Sequence, residues 1–229
     1  MISEQKFRSI AFWAGDLDPR AFERACTGIV MRSYPKGTYI CHRGDTLDAW
    51  TGVTSGLIKL STTSVSGKVV TLAGLRAGGW FGEGTVLKNE PRMYDLVTLR
   101  DTEMALMDRP TFMWLFENSV SFNRFLVRQL NERLGQFIAL VEYDRMLDAP
   151  ARLARSIAWL FNPVLYPKGE LQIEITQEEL GLLCGLSRQA TNKSLRQLEE
   201  DGLLRIDRAT LILADIDGLR NYGEEDRSG

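Results

Sequence analysis

Between residues 37 and 110 the apolar residues come in runs of about four to eight, rich in Val, Thr, Leu and Ile and bounded by Gly, Asp or Asn. Ten of the twenty glycines fall between positions 37 and 84. The runs YPKGTYICHRGD, WTGVTSGLIKLSTT, KVVTLAGLRAGGWFG and DLVTLRDTEMALMDR predict short strands joined by tight turns, folded as an antiparallel sandwich or roll. The pattern changes after Pro110. Over 111–147 glycine almost disappears, and Val127, Leu130, Leu134, Phe137 and Val141 recur at spacings of 3, 4, 3 and 4. That is the a/d seam of a helix that meets a partner helix, and it predicts a homodimer interface. Phe122, Leu126, Ile138 and Leu140 lie off the seam and give the helix a second apolar face, available to the roll.

Asp148-Ala149-Pro150 ends the long helix, because proline disfavours helical geometry in the residue before it. Three parts follow: 1–110, a roll with N-terminal helices; 111–148, the central helix and hinge; and 149–229. In the last part ARLARSIAWLF has helical periodicity, and PVLYPKGELQIEI carries turn signals and a short strand.

Residues 175–204, ITQEELGLLCGLSRQATNKSLRQLEEDGLL, carry the most specific pattern. Thr176 and Glu179 form a capping box at the start of one short helix. Gly185 supplies a turn, Ser187 caps a second helix, and Gly202 ends it. Two short helices about a glycine turn make a helix-turn-helix, whose second helix enters the major groove by its N-terminal part. From 187 to 198 there are three basic residues, Arg188, Lys193 and Arg196, and no acidic one. Arg188, Gln189, Asn192 and Lys193 share one helical strip, and their side chains suit base edges: Arg or Lys for guanine, Gln or Asn for adenine. The expected DNA-contacting set is Thr176, Gln177, Ser187, Arg188, Gln189, Thr191, Asn192 and Lys193. LLRIDRATLILAD then reads as a β-wing.

Charge and composition narrow the alternatives. A net charge of −2 gives no global sign of nucleic-acid binding, so any DNA affinity must come from the local basic strip. No apolar run approaches the ~20 residues of a membrane helix, and the first twenty residues lack a secretory signal. The three cysteines are scattered and no C-x-x-C occurs, so haem-, zinc- or cluster-binding cofactors have no evident ligands and a reduced cytoplasm is expected. The single histidine, His42, and the absence of a nucleophile elbow or Walker loop argue against an enzyme. The glycines of LAGLRAGGWFGEG only loosely suggest a dinucleotide turn, and no helix is expected after them.

The glycine-rich roll, Phe81-Gly82-Glu83, the long helix, the Asp-x-Pro hinge and the helix-turn-helix, in this order over 21–213, resemble the cyclic AMP receptor protein and fumarate–nitrate regulator family. The resemblance implies an α+β chain: an N-terminal antiparallel β-roll of cyclic-nucleotide-binding-like jelly-roll form, a long central dimerisation helix and a C-terminal winged helix-turn-helix. It implies a homodimeric transcription regulator on inverted-repeat double-stranded DNA, controlled by an effector at the roll and central helix, with RNA polymerase as a partner for an activator. In cyclic AMP-binding members the positions of Gly82 and Arg92 take phosphate and that of Glu83 a ribose hydroxyl. Here the small residue after the arginine is Met93, Arg133 matches a basic position, and the adenine-recognising Thr-Ser pair is replaced by Phe137-Ile138. An unknown apolar or aromatic effector bearing an anionic group is therefore the expected occupant of Gly82, Glu83, Arg92, Met93, Arg133, Phe137 and Ile138. A cyclic-nucleotide response, no effector, an internal Glu83–Arg92 ion pair and thiol sensing stay open. The family's Arg-Glu-x-x-x-Arg recognition pattern reads Arg188, Gln189 and Lys193 here, which predicts a changed half-site.

Overall fold

The computed structural model describes residues 2–167 and 169–223. It contains two compact units, 1–132 with 164–168, and 133–163 with 169–229. The division falls inside the long helix.

The first unit opens with α1 (Glu4–Ile10), a 3-10 turn (Phe12–Asp16) and α2 (Pro19–Thr27). Ser3 and Asp18 cap the two helices, and Pro19 sits in the first turn of α2, where its missing N–H costs nothing. Eight strands follow: β1 (Ile29–Tyr34), β2 (Tyr39–Cys41), β3 (Ala49–Ser55), β4 (Leu57–Thr63), β5 (Val69–Arg76), β6 (Trp80–Phe81), β7 (Asp95–Thr98) and β8 (Thr102–Asp108), with α3 (Glu83–Lys88) between β6 and β7. They form two four-stranded antiparallel sheets, β1-β8-β3-β6 and β2-β7-β4-β5. One core fills the space between the sheets, with Ile58, Leu75, Phe81, Leu96 and Met104 at its centre.

A second core lies on the other side of β3. Trp13, Trp50, Trp80, Phe112 and Phe122 pack edge to face or tilted there, with Trp50 and Trp80 centroids 4.3 Å apart. This explains why β3 is buried at five successive positions rather than at alternate ones: both faces of its sheet are covered. Gly52 is required beneath Trp80, since a Cβ there would lie 2.6 Å from the indole ring.

The glycines of 78–84 are followed by a helix after all. The six residues of α3 start from Gly82 at φ 92° and stop at Asn89 at φ 55°, so left-handed residues bracket a helix too short to show periodicity. The single helix expected over 111–147 is two: α4 (Arg109–Asn118) and α5 (Val120–Met146). Ser119 is extended at the junction, and its hydroxyl accepts from the Phe122 amide at 3.3 Å, capping the second helix while breaking the first. Pro110 lies inside the first turn of α4, with Asp108 as its cap. The second apolar face of α5 divides: Phe122 and Leu126 are buried in the aromatic core, whereas Ile138 is exposed and Leu140 half-buried.

The second unit holds the C-terminal half of α5, then α6 (Ala149–Leu160), β9 (Gln172–Glu174), α7 (Gln177–Cys184), α8 (Arg188–Glu200), β10 (Leu204–Asp207), β11 (Thr210–Leu213) and α9 (Ile216–Asn221). Asp148 caps α6 through a 3.0 Å bond from the Ala151 amide, with Pro150 in the first turn. Strands β10, β11 and β9 form an antiparallel sheet, and Arg208 takes φ 56° in the tight turn joining β10 to β11. Among the described residues, no helix is long and apolar enough to cross a membrane.

Candidate functional site

The helix-turn-helix is built by short-range bonds. Thr176 Oγ1 accepts from the Glu179 amide at 3.2 Å, and Glu179 Oε2 accepts from the Thr176 amide at 2.7 Å. Gly185 ends α7 at φ 64°, a left-handed turn that favours glycine. The Leu186 amide then bonds the Gly181 carbonyl at 2.8 Å, and Ser187 Oγ accepts from the Ala190 amide at 3.2 Å to start α8. Thr191, Ser194, Leu195 and Leu198 form the buried stripe of α8. Two members of the expected DNA-contacting set thus have structural duties. Thr176 spends its hydroxyl on the capping box. Thr191 is fully buried, donates to the Ser187 carbonyl at 2.9 Å and packs on Gly181, where a Cβ would come within 2.7 Å of its oxygen. Thr191 is therefore off the exposed face: burial decides against a base contact.

The opposite face of α8 is exposed at Arg188, Gln189, Lys193 and Arg196, with Asn192 half-buried beside them. Gln189, Asn192, Lys193 and Arg196 line one depression, closed at its C-terminal end by Gln197 and Glu200. The Asn192 Oδ1 is buried without a partner. Gln177 and Ser187 are exposed at the starts of α7 and α8. Gln197, Tyr222 and Asp201 tie the far end of α8 to the end of α9. Gln197 Nε2 donates to the Tyr222 hydroxyl at 3.0 Å, which donates to Asp201 Oδ2 at 2.6 Å. Burial first and the Asp201 carboxylate second push the Tyr222 phenol up to about 12. Arg152 ties the end of α5 to the motif's turn, donating to Asp144 at 2.7 Å and to the Gly185 carbonyl at 3.3 Å.

From Val127 to Val141, α5 carries the expected seam. Val127, Leu130, Leu134, Phe137 and Val141 are between 41 and 67% exposed, an apolar row along the helix. Phe137 and Ile138 both lie exposed on this stretch, and Arg133 is half-buried on it.

In the first unit, Gly82, Glu83 and Arg92 come together where α3 leaves β6. Arg92 is wholly buried. Its Nη1 donates to the Tyr94 hydroxyl at 3.1 Å and its Nη2 to the Ala49 carbonyl at 2.9 Å, while Nε is buried without a partner. Gly82 backs directly on the guanidinium: a Cβ there would lie 2.6 Å from Cζ. Glu83 is 5% exposed, and its Oε2 is also buried without a partner. The internal Glu83–Arg92 ion pair is thus not formed; each group keeps an unmatched polar atom. Met93 is exposed. Tyr94, absent from the expected set, is the residue sequence reasoning missed. Burial raises its phenol despite the arginine beside it, so it is neutral at pH 7.

The remaining sensor candidates have plain surroundings. Burial raises the pKa of Cys26, Cys41 and Cys184, the last to about 12, which keeps the thiolate scarce at neutral pH. His42 stacks on Tyr39 at 4.5 Å and lies 3.8 Å from Asp95. Among the described residues there is no group of three His, Cys, Asp or Glu side chains placed to hold a metal.

Comparison with known proteins matches residues 31–119 to the cyclic nucleotide-binding domain and 151–222 to the Crp-like helix-turn-helix domain. The chain is 29% identical to the cyclic AMP receptor protein of Thermus thermophilus, over 85% of this chain and 88% of that one. It is 27% identical to the CRP-like protein Clp of Xanthomonas campestris, over 86% and 89%. Among solved structures, the c-di-GMP-responsive regulator CLP of Xanthomonas campestris superposes with a TM-score of 0.61 at 25% identity, covering 86% of this chain and 99% of that one. FixK2 of Bradyrhizobium japonicum shares the fold, with a TM-score of 0.68 at 17% identity over 84% and 96%. With a cyclic nucleotide-binding domain preceding a Crp-like helix-turn-helix, the chain belongs to the cyclic AMP receptor protein and fumarate–nitrate regulator family of DNA-binding transcription regulators.

Proposed function

We propose that the protein is a homodimeric, cytoplasmic regulator that binds inverted-repeat DNA through the exposed face of α8 and responds to a small anionic effector other than cyclic AMP. The observation that carries the DNA reading is the run Arg188, Gln189, Asn192, Lys193 and Arg196, in a stretch 187–198 without acidic residues, backed by the buried Thr191, Leu195 and Leu198. These side chains offer donor–acceptor pairs for base edges, with Gln177 and Ser187 available to the backbone. The exposed seam of α5 supports a dimer: burying it against a second copy would remove a row of large apolar side chains from water. Two linked half-site readers bind one inverted repeat with centres about one helical turn apart.

The effector reading rests on Glu83 and Arg92, two buried groups that each keep an unmatched polar atom. Buried charge left in that condition is costly unless a ligand or ordered water completes it. Met93, exposed next to Arg92 where the cyclic AMP-binding pattern has a small residue, disfavours a nucleotide phosphate at this cluster. Relatives of similar identity are named for different ligands, cyclic AMP in one case and c-di-GMP in another, so family membership leaves the ligand open. A cyclic-nucleotide response is the second reading, favoured by Phe81-Gly82-Glu83 with Arg92 at the matching separation. Either effector would act by binding one conformation of the dimer better than another and so shifting its DNA affinity.

Selection of binding sites from a randomised DNA pool, with light scattering of the same sample, tests the reading. It expects an enriched inverted repeat and a dimer. A monomer that enriches nothing at low salt, with and without the effector panel, contradicts it.

A further inference from the structure

The buried state of Arg92 has a consequence for which ligands the roll admits, and the inference rests on the reading of Gly82, Glu83 and Arg92 as the effector site. No part of Arg92 reaches solvent, so no anion touches its guanidinium unless something moves. Most of its surroundings are fixed. The Arg92 amide donates to the Asp45 carbonyl at 2.9 Å, and its own carbonyl accepts from the Gly44 amide at 2.8 Å, which pins the backbone. The Ala49 carbonyl belongs to β3, paired with Asp108 of β8, and Gly82 is backbone. Tyr94 differs. It is half-buried, it lies just before β7, and its hydroxyl bonds Arg92 alone. Its ring packs against the core between the sheets, and rotation about its side-chain bonds withdraws the hydroxyl from Arg92.

We propose that Tyr94 is a gate and specificity determinant of the effector site. Its phenol oxygen sits on Arg92 Nη1 as a surrogate for a ligand oxygen, and its ring centroid lies 6.0 Å from the guanidinium carbon, beside that of Phe81 at 5.8 Å. A cyclic nucleotide phosphate has to displace the phenol before it engages the arginine fork, and the site thereby disfavours cyclic nucleotides. A charge-assisted bond to a phosphate is stronger than a neutral one to a phenol, so the gate discriminates without sealing the site.

Isothermal titration of cyclic AMP and cyclic GMP into the full-length wild type, Tyr94→Phe and Tyr94→Ala tests this. Tyr94→Phe removes the surrogate oxygen and keeps the ring; Tyr94→Ala removes both. The expected result is a gain in cyclic nucleotide affinity of about tenfold for Tyr94→Ala and a smaller gain for Tyr94→Phe. Adding Arg92→Gln to Tyr94→Ala should abolish the gain. Tyr94→Phe preserves the packing and decides the matter if the alanine variant melts at a much lower temperature. Equal affinity in wild type and both variants, or a gain that survives Arg92→Gln, overturns the gate and leaves the effector site standing. If nothing binds any of the four proteins, including aromatic acids and acyl-CoA thioesters, the effector reading fails and the gate with it.

Discussion

The recognition helix and the Arg92 cluster place their working groups in opposite ways. On α8 the polar groups are turned outward and the supporting groups inward, all within 187–198 and fixed by bonds between near neighbours. At Arg92 the working groups are turned inward, and they come from β3, the β6–α3 junction and the segment before β7. The first arrangement is ready for a partner that brings its own charge and shape. The second is closed, and it keeps unmatched polar atoms at Glu83 and Arg92 that a ligand, an ordered water or a rearrangement would match. A surface that reads DNA needs rigidity; a sensor needs something that can change.

The strongest way to break that comparison is at the seam that would bring two recognition helices together. Leu134→Glu puts a charge in the middle of the exposed apolar row, and it should give a folded monomer by light scattering. Losing the second half-site should weaken binding to an inverted repeat by about 10²-fold or more. A variant that stays dimeric at full affinity moves the interface away from α5. Next in size are Arg188→Ala and Lys193→Ala. Each removes a base or phosphate contact at the cost of about 1–3 kcal/mol of DNA binding, while melting temperature hardly changes because both are exposed.

Gly82→Ala probes the other side of the comparison. Its left-handed φ of 92° and its contact with Arg92 both penalise a Cβ, so a loss of about 1–3 kcal/mol of stability is expected by thermal unfolding. DNA affinity well below the melting point should be unaffected if the two units act separately in the absence of effector. The smallest effect concerns pH. The folded-state pKa of Tyr222 lies above its ordinary value, so the folded form holds this proton more tightly, and that part of stability is lost as pH rises from about 10 to about 12. Tyr222→Phe should lower the melting temperature below pH 9, where the wild-type phenol still donates to Asp201, and flatten the fall between pH 10 and 12.

How much could be read in advance follows the same division. Thr176, Glu179, Gly185 and Ser187 announce the helix-turn-helix because caps and turns depend on residues three or four apart. Thr191 belongs to the expected DNA-contacting set yet is buried against α7, because a threonine in a polar run gives no sign of its orientation until that packing fixes it. The helix break at Ser119 was hidden by apolar periodicity that continues on both sides of it. The aromatic core needs Trp13, Trp50 and Trp80, brought together from three separate segments, so no local pattern predicts it. Tyr94 was missed for a related reason. Its role depends on Ala49 and Gly82, distant in the chain, and a lone tyrosine beside a strand reads as packing.

The central claim is that the exposed face of α8 reads bases, and exchanging one residue on that face tests it most directly. Binding sites would be selected from the same randomised pool with the wild type and with Gln189→Glu. A glutamine prefers adenine and a glutamate accepts from cytosine, so the two consensus repeats should differ at one position in each half-site and agree elsewhere. If both proteins recover the same repeat with equal affinity, Gln189 does not face a base, and the assignment of this face of α8 is wrong.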